Sequence, residues 1–451
     1  MAEVTYLCKR TIVSTKPVPP GKYFLPSVLD RLMEKNHIRM VFYYPKMIMT
    51  GHVNHVLRES LSELLTSYPA VTGRLLRNEE DGQWMIKCND AGVRMVEARA
   101  QGTVEDWLKC VDRDKELKLV YWEEMYHKPY FWSTFYVQLT EFEDGGFAIG
   151  LSCFHLLADL TCATMFINSW AQKAFYGKML ASYFHPLPPR KPSNKKAHHD
   201  VPYSYTPLIN RYKSTTERSK SIPVVDTKYT TVSLAFADHM VRACLDEAQI
   251  IDKTKKMGPG PSPFEALAGL FWVCISKAKG MTNGLLNMSV CLDMRNVLNL
   301  DKRFFGNCMV YNQVHSGNLQ GNDLSEAAKA IGEVVAKMDN EGVMDLIEWL
   351  QEIDHRDLPL MNGCDLVCAS LGAVDPYLAV FGDGVRPIHA SYYVEPVLGL
   401  GQVLILPGPP GDGPLSRVVR VTLPEDEIVK LCDDVLLLRF LPTILMGLNK
   451  S

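Results

Sequence analysis

The sequence predicts an α/β protein (α+β mixed sheets) organised as two domains of similar size. Segments with strand periodicity and segments with helix periodicity alternate along most of the chain, with short connections between them. The 451 residues suffice for about two to three domains, and 47% of them are hydrophobic, so a large core can form. Periodicity is lost between Pro186 and Pro223, where Pro, Lys, Ser, Thr and His dominate. We therefore predict an N-terminal domain over 1–185, a crossover linker over 186–225 and a C-terminal domain over 226–451.

In the N-terminal half, the clearest helix is His52–Tyr68, whose apolar residues form one stripe and which Pro69 follows. Shorter helices are predicted at Ser27–Lys35 and Thr103–Lys109. Alternating apolar residues predict strands at Tyr6–Ser14, Ile38–Tyr44, Trp84–Cys88, Val93–Ala98 and Ser133–Phe142.

The C-terminal half continues the same mixture of elements. Helical periodicity predicts helices at Asp238–Ile250, Phe264–Lys277, Asp323–Met338, Val343–Ile353 and Glu425–Leu438. Strands are predicted at Tyr229–Phe236, Ser289–Leu292, Asn307–Val314, Ile388–Val394, Gln402–Leu406 and Arg417–Leu423.

Composition disfavours several classes of protein. The formal net charge is −3 and no basic block stands out, so nucleic acid and anionic membranes are not expected as general partners. The 12 cysteines include no Cys-x-x-Cys pair. Cys364 and Cys368 form the one Cys-x-x-x-Cys pair, and no second pair is present to complete a set of four ligands. This pattern argues against a structural zinc site. No signal peptide and no long uncharged apolar run is present. We expect a cytoplasmic protein without a transmembrane segment.

The stretch Phe147–Phe166 changes period in its middle, and there we place the candidate site. Its first part alternates as a strand that ends near His155, and helical spacing begins at Leu160. The turn Glu143–Gly146 makes this strand the second arm of a hairpin. His155 therefore stands at the carboxyl end of a strand, with Asp159 directly before a helix. An imidazole and a carboxylate in this arrangement suit acid–base chemistry.

Other roles for the same residues remain open at this point. Asp159 has the position of a helix cap, and His155 has the surroundings of a core histidine. Cys153 lies on the same strand face as His155, as a Cys–His nucleophile pair requires, but side chains two residues apart are parallel and separated. A metal site made of these three residues would lack a softer third ligand.

Several segments together resemble the signature stretches of the plant BAHD acyltransferases. His155-Leu-Leu-Ala-Asp159 resembles the HxxxD motif of that family. Further resemblances lie, in the order of the family, at Pro69–Leu75, Ile86–Val93, Met95–Ala98, Ser262–Ala268, Asp293–Arg295 and Phe304–Asn307. Several motifs in the right order are more specific than any one of them, and the resemblance spans nearly the whole chain.

The resemblance implies two chloramphenicol-acetyltransferase-like domains joined by a crossover loop, with a channel between them that holds the histidine. It implies acyl transfer from acyl-CoA to a small-molecule alcohol or amine acceptor in plant specialised or surface-lipid metabolism, by a monomer with no tightly bound cofactor and no metal. His155 would be the general base. Asp159 would pair with Arg295 and support the site structurally.

One signature departs from the family. Where BAHD enzymes carry a DFGWG loop, this chain has Val380-Phe-Gly-Asp-Gly-Val-Arg-Pro387, with Val and Asp at the family's Asp and Trp positions. Because Phe381, Gly382 and Gly384 remain, we expect the turn to persist around Asp383. The divergence also resembles that of ECERIFERUM-like proteins, which implies the alternative of a non-catalytic partner of a fatty-acid elongase. A divergent lyase that uses the same pocket is a further alternative.

A basic loop gives a candidate site for CoA. Lys253, Lys255 and Lys256 lead to Ser262 at the start of a predicted helix. In BAHD enzymes, basic residues near this position meet the CoA phosphates, and a helix N-terminus also favours phosphate. A solvated lysine loop is the alternative interpretation.

Overall fold

The computed structural model describes residues 3–46, 52–190, 207–219, 227–249, 260–317, 323–353, 365–382 and 384–447. The chain divides into two compact units. Unit 1 comprises Met1–Leu187, Leu300–Cys308 and Val374–Pro396, and unit 2 comprises Pro188–Asn299, Met309–Ala373 and Val397–Ser451. Each unit combines a mixed sheet with helices, which confirms the predicted α/β class.

Unit 1 is built on a six-stranded sheet. Its strands are β1 (Val4–Ile12), β3 (His37–Tyr44), β6 (Val93–Ala100), β7 (Phe135–Phe142), β8 (Phe147–Phe154) and β13 (His389–Glu395). They are arranged in the order β1-β6-β7-β8-β3-β13, and β6–β7 is the parallel pair. A separate three-stranded sheet contains β2 (Tyr23–Phe24), β4 (Arg74–Arg77) and β5 (Trp84–Lys87).

The helices of unit 1 are the four predicted from the sequence and one that was not predicted, α4. They are α1 (Val28–Arg31), α2 (Val53–Leu65), α3 (Val104–Cys110), α4 (Arg113–Glu116) and α5 (Leu160–Tyr176). Helix α5 packs against α2, where the indole of Trp170 donates to the backbone carbonyl of Leu57 at 3.2 Å. It also reaches the sheet, where the hydroxyls of Thr164 and Tyr392 lie 3.3 Å apart.

The β7–β8 hairpin agrees with the sequence. Its turn is closed by backbone hydrogen bonds from Gly145 to Phe142 (3.0 Å) and from Phe142 to Gly146 (2.9 Å). Strand β8 is buried along its whole length. Glycine is required at position 150, because a Cβ there would lie 2.0 Å from the carbonyl oxygen of Leu119.

Unit 2 is built on a seven-stranded sheet. Its strands are β9 (Tyr229–Phe236), β10 (Met288–Asp293), β11 (Met309–Val314), β12 (Leu366–Ser370), β14 (Gln402–Pro407), β15 (Arg417–Pro424) and β16 (Thr443–Met446). Their order is β11-β10-β12-β14-β15-β9-β16, with β10–β12 and β12–β14 parallel. The helices are α6 (Pro207–Ser219), α7 (Asp238–Ala248), α8 (Pro263–Ala278), α9 (Leu324–Ala336), α10 (Asn340–Glu352), α11 (Glu425–Cys432) and α12 (Val435–Leu438).

The second half of the chain is shared between the units. The sequence assigned all of 226–451 to one C-terminal domain, whereas Leu300–Cys308 and Val374–Pro396 belong to unit 1. The reason for the second segment is strand pairing, since β13 runs antiparallel to β3 with His389 opposite Tyr43 and Glu395 opposite His37. The first segment brings Asn307 into unit 1.

The predicted linker contains a helix. Residues 207–219 of the 186–225 segment form α6. Arg211 anchors it, donating to Asp365 Oδ2 at 2.5 Å and to Ser289 Oγ at 2.7 Å. Among its described side chains Leu208, Ile209 and Tyr212 are buried. The helix is not evident in the sequence because most residues of 207–219 are polar.

Candidate active site

His155 directly follows β8, and its backbone is held on both sides. Its N–H donates to the carbonyl of Asn36 at 3.0 Å, which continues the pairing of β8 with the chain before β3. Its carbonyl accepts from Asn307 Nδ2 at 2.7 Å. The two bonds fix the peptide groups from which the imidazole projects.

A buried carboxylate supports Asn307. Asp30 Oδ1 accepts from the backbone N–H of Asn307 at 2.8 Å and from its Nδ2 at 2.6 Å. Asp30 Oδ2 accepts from the N–H of Ser27 at 2.6 Å, within the capping box that starts α1. Burial raises the pKa of Asp30. The carboxyl group of a short capped helix therefore orients the amide that holds His155.

Asp159 caps α5 and ties it to a second segment. Oδ1 accepts from the N–H of Cys162 at 2.9 Å, and Oδ2 accepts from the N–H of Cys308 at 3.0 Å. The capping role left open by the sequence is therefore present. Asp159 is fully buried, and these two hydrogen bonds hold both of its oxygens in place.

The imidazole of His155 is in an environment that favours its neutral form. Its residue is 2% exposed, and burial lowers the pKa of His155, although the Asp159 carboxylate acts in the opposite direction. Within the described residues, Nδ1 has no hydrogen-bond partner. A neutral ring can accept a proton at near-neutral pH.

His37 is a second buried imidazole beside the first. It lies opposite Phe154 in the β3–β8 register, one residue before His155, and its ring stacks on Trp122 with centroids 4.3 Å apart. Burial lowers the pKa of His37 to about 3, with contributions from Arg39 and His155. His37 is therefore also neutral near pH 7.

The proposed Cys–His pair is not supported by the state of the thiol. Cys153 is fully buried, and burial raises its pKa further above the ordinary value for a thiol, with the Asp159 carboxylate adding to the effect. A nucleophilic cysteine needs the opposite shift, because the thiolate is the reactive form.

The loop that resembles DFGWG lies in unit 1 and keeps its turn. Phe381 and Val385 exchange two backbone hydrogen bonds of 3.1 and 3.0 Å. Gly382 and Gly384 both have positive φ, 59° and 82°, which favours glycine. The Phe381 ring is buried against Tyr44, with centroids 5.7 Å apart. Asp383 lies outside the described residues.

The remaining predicted residues belong to unit 2. Arg295 is buried, and its guanidinium donates to Asp293 Oδ2 at 2.7 Å. Ser262 is exposed and caps α8, where its Oγ accepts from the N–H of Glu265 at 3.3 Å. Lys253, Lys255 and Lys256 lie outside the described residues. The pairing of Asp159 with Arg295 and the CoA role of Ser262 stay predictions.

Sequence reasoning missed two supports of His155, namely the carbonyl of Asn36 and the carboxylate of Asp30. A backbone carbonyl carries no sequence signal. Asp30 does carry one, because Ser27 and Asp30 have the spacing of a capping box.

Two general features of the site and chain follow from the described residues. Among them, no three His, Cys, Asp or Glu side chains form a group that could hold a metal ion. In the same part of the chain, no helix combines the length and apolar character needed to cross a membrane.

Comparison with known proteins gives a family match over almost the whole chain. The model of the Transferase family matches residues 2–437. Protein ECERIFERUM 26-like of Arabidopsis thaliana is 26% identical over 434 residues, which cover 93% of this chain and 92% of the relative. Hydroxycinnamoyl-CoA:piscidic acid hydroxycinnamoyltransferase of Actaea racemosa is 28% identical over 441 residues, covering 90% of this chain and 94% of the relative.

A solved structure shares the fold. The crystal structure of F. graminearum TRI101, complexed with coenzyme A and deoxynivalenol, superposes with a TM-score of 0.70 at 13% sequence identity. The match covers 94% of this chain and 100% of that one. The likeness confirms the predicted fold, two chloramphenicol-acetyltransferase-like units with mixed sheets.

Proposed function

The chain belongs to the Transferase family, the family of the BAHD acyltransferases, and from this we propose that it transfers an acyl group from acyl-CoA to the hydroxyl or amino group of a small molecule. The observation that carries the proposal is the environment of His155. Its imidazole is buried, which lowers its pKa and favours the neutral form, and its backbone is fixed by Asn36 and Asn307. A rigid neutral base at a strand end is what proton abstraction from an acceptor requires.

In the proposed reaction, His155 removes the proton of the acceptor as its oxygen or nitrogen attacks the thioester carbonyl. A tetrahedral intermediate forms, and the bond from carbon to sulfur then breaks. The CoA thiolate takes up the proton that the imidazolium carries, so the base is neutral again when both products leave. Depression of the pKa of His155 by burial keeps the ring ready for each cycle.

Asp159 acts in this proposal as a positioning residue. It accepts hydrogen bonds from the backbone N–H groups of Cys162 and Cys308. These bonds fix the start of α5 and with it the short segment between His155 and the helix. We propose that Arg295 is a further partner of this carboxylate. For CoA, we propose the N-terminus of α8 at Ser262 together with Lys253, Lys255 and Lys256.

The known proteins support the chemistry of the donor. The Actaea racemosa relative is named for a hydroxycinnamoyl-CoA donor, and the TRI101 structure contains coenzyme A. We propose that this chain uses acyl-CoA as a co-substrate, needs no tightly bound cofactor and acts as a monomer in the cytoplasm.

A second function has its own support. The ECERIFERUM 26-like relative and the departure of Val380 and Asp383 from the DFGWG signature favour an ECERIFERUM-like partner of a fatty-acid elongase. In that function, His155 would not need to exchange protons. A lyase that uses the same pocket would need His155 but no CoA.

One experiment separates these functions. The purified full chain is incubated with a panel of acyl-CoA donors and of alcohol or amine acceptors, and free CoA is measured. We expect acceptor-dependent release that falls about 10²- to 10⁴-fold in His155→Ala. The matched control is His127→Ala, which removes an exposed histidine of the same unit and should leave the rate unchanged.

The other outcomes are equally definite. Equal CoA release in the native protein and His155→Ala would contradict the role of His155 as general base. Support of fatty-acid elongation that survives His155→Ala would select the elongase partner. Cleavage of a substrate in the absence of any CoA would select the lyase.

A further inference from the structure

One of the two ring nitrogens of His155 is enclosed by the protein. Nδ1 is buried and has no hydrogen-bond partner among the described residues. A substrate cannot reach a nitrogen that lies under protein atoms, so proton exchange with an acceptor has to occur at Nε2. The resting base therefore needs its lone pair on Nε2, and the single ring proton of a neutral imidazole is then on Nδ1. The reaction requires this tautomer, and its buried Nδ1–H requires an acceptor.

The side chain of Asn307 has an unpaired atom of the complementary kind. Asn307 is 1% exposed, and its Oδ1 is buried without a partner in the described part of the chain. Its Nδ2 donates to Asp30 Oδ1 at 2.6 Å and to the carbonyl oxygen of His155 at 2.7 Å. An amide turned around would place its oxygen against these two acceptors, so the amide has one stable orientation. Oδ1 is therefore held as an acceptor that lacks a donor.

Asn307 and the imidazole of His155 are neighbours. Burial lowers the pKa of His155, whereas the Asp159 carboxylate and the Asn307 side chain act on the ring in the opposite direction. The oxygens of Asp159 accept from the backbone N–H groups of Cys162 and Cys308. The carbonyl oxygen of His155 accepts from Asn307 Nδ2. Because the χ2 torsion of a histidine is soft, the ring can turn toward the unused Oδ1 at small cost.

We propose that Asn307 is a positioning residue that selects the tautomer of His155, with Oδ1 accepting the Nδ1–H so that Nε2 keeps its lone pair. Asp30 acts through Asn307, since its bonds to the backbone N–H and to Nδ2 prevent the amide from turning. The inference rests on the proposed acyl transfer, which gives the tautomer its purpose. It adds to that function the residue that prepares the base.

The proposed contact persists through the reaction. When Nε2 takes the proton of the acceptor, the Nδ1–H stays in place and its hydrogen bond to Oδ1 strengthens, because the donor is now an imidazolium. The proton on Nε2 then passes to the CoA thiolate, and the ring returns to the same tautomer. Without Oδ1, the neutral ring is free to place its proton on Nε2, where it blocks the exchange with the acceptor.

The tautomer can be measured without turnover. The full chain is labelled with ring-¹⁵N histidine, and long-range ¹H–¹⁵N correlation spectra distinguish the protonated from the unprotonated nitrogen of each neutral imidazole. The signals that disappear in His155→Ala belong to His155. In the native protein, at a pH above the pKa of His155, we expect the proton on Nδ1.

Removing the acceptor should release the tautomer. In Asn307→Ala we expect the Nε2–H form at His155, and kcat should fall roughly fivefold to 150-fold with little change in KM, the effect of one unpaired buried donor. The matched control is Asn89→Ala, which removes an exposed asparagine of the same unit. That control should change neither the tautomer nor kcat.

The conservative variant Asn307→Asp separates the two roles of the amide. It keeps an oxygen in the place of Oδ1 but loses the hydrogen bond from Nδ2 to the carbonyl of His155. Its second oxygen can share a proton with Asp30, as facing carboxyl groups do. We expect this variant to keep the Nδ1–H tautomer and to have a higher kcat than Asn307→Ala. If Asn307 only supported the backbone, the two variants would be equally impaired.

Two results would overturn the inference: an Nε2–H tautomer at His155 in the native protein, or an Nδ1–H tautomer that Asn307→Ala leaves intact. If Asn307→Ala does not fold, the titration of His155 in Asn307→Asp decides. A carboxylate in contact with Nδ1 should raise the pKa of His155 above its native value, and an unchanged value refutes the contact.

The measurements are independent of catalysis. The other titratable groups near the ring, namely Asp159, Asp30 and His37, are the same in the native protein and in the Asn307 variants. The spectra are recorded without donor or acceptor, so a chain that transfers no acyl group would still show its tautomer. Failure of the proposed acyl transfer and failure of the tautomer assignment are therefore distinguishable.

Discussion

Replacing Asp159 by Asn should weaken the structure around His155 more than it alters the chemistry. Asparagine is as good a helix cap as aspartate, so the bond to the N–H of Cys162, 2.9 Å in length, can be kept. The amide then turns its NH₂ toward the N–H of Cys308, where Oδ2 now accepts at 3.0 Å. Two buried donors face each other, which costs about 1–3 kcal/mol.

Hydrogen exchange measures this loss directly. A cost of about 1–3 kcal/mol corresponds to exchange that is roughly fivefold to 150-fold faster where opening of the α5 start exposes the amides. The amides of Cys162 and Cys308 should show it most. The matched control is Asp339→Asn at the exposed cap of α10. Its carboxylate accepts from a single backbone N–H, that of Gly342, so asparagine can replace it and hydrogen exchange should change little.

The pH dependence of kcat/KM provides the refuting result. Burial is the main cause of the lowered pKa of His155, and the Asp159 charge acts in the opposite direction. Loss of that charge should therefore lower the pH at which kcat/KM falls on the acid side of the profile. The expected shift is less than about one pH unit, as for the effect of one neighbouring charge on a pKa. A larger displacement of the limb with unchanged exchange and melting would show that Asp159 acts on the proton transfer itself.

Two further predictions concern the strands next to the site. Gly150→Ala places a Cβ 2.0 Å from a backbone oxygen and should lower the free energy of unfolding by at least about 2 kcal/mol, measured in urea, whereas Gly372→Ala meets nothing within 4 Å and should be neutral. If Gly150→Ala is as stable as the native protein, the backbone at Leu119 can move away from β8 at little cost in free energy. The pKa of His37 is near 6.5 in the unfolded chain and about 3 in the folded protein. Below pH 6.5 protonation therefore favours the unfolded chain, so the free energy of unfolding is highest above pH 6.5 and decreases as the pH falls toward 3. Between pH 6.5 and 4.5 the free energy of unfolding, measured in urea, should therefore decrease by about 2 kcal/mol less in His37→Phe than in the native protein. The same dependence on pH in both proteins would contradict the lowered pKa of His37.

Local sequence was enough to place His155 and Asp159. A strand that ends near His155, a Gly-containing turn before it and a helix that starts at Leu160 were predicted, and the structure confirms all three. Capping residues also indicated where helices begin. The side chain of Thr103 accepts from the N–H of Asp106 at the start of α3, and that of Ser262 accepts from the N–H of Glu265 at the start of α8. These features depend on hydrogen bonds and side-chain periods within one or two turns of chain, so a single sequence contains them.

Long-range pairing was decided by the tertiary structure. Strand β13 joins β3 although the sequence had assigned it to the other domain, and Asn307 donates to the carbonyl of His155 across 152 positions. The stacking of His37 on Trp122 likewise joins residues that are far apart in the sequence. Periodicity fixes which residues are buried, but it does not fix their partners. The partners depend on how all elements share one core, and that information is spread over the whole chain.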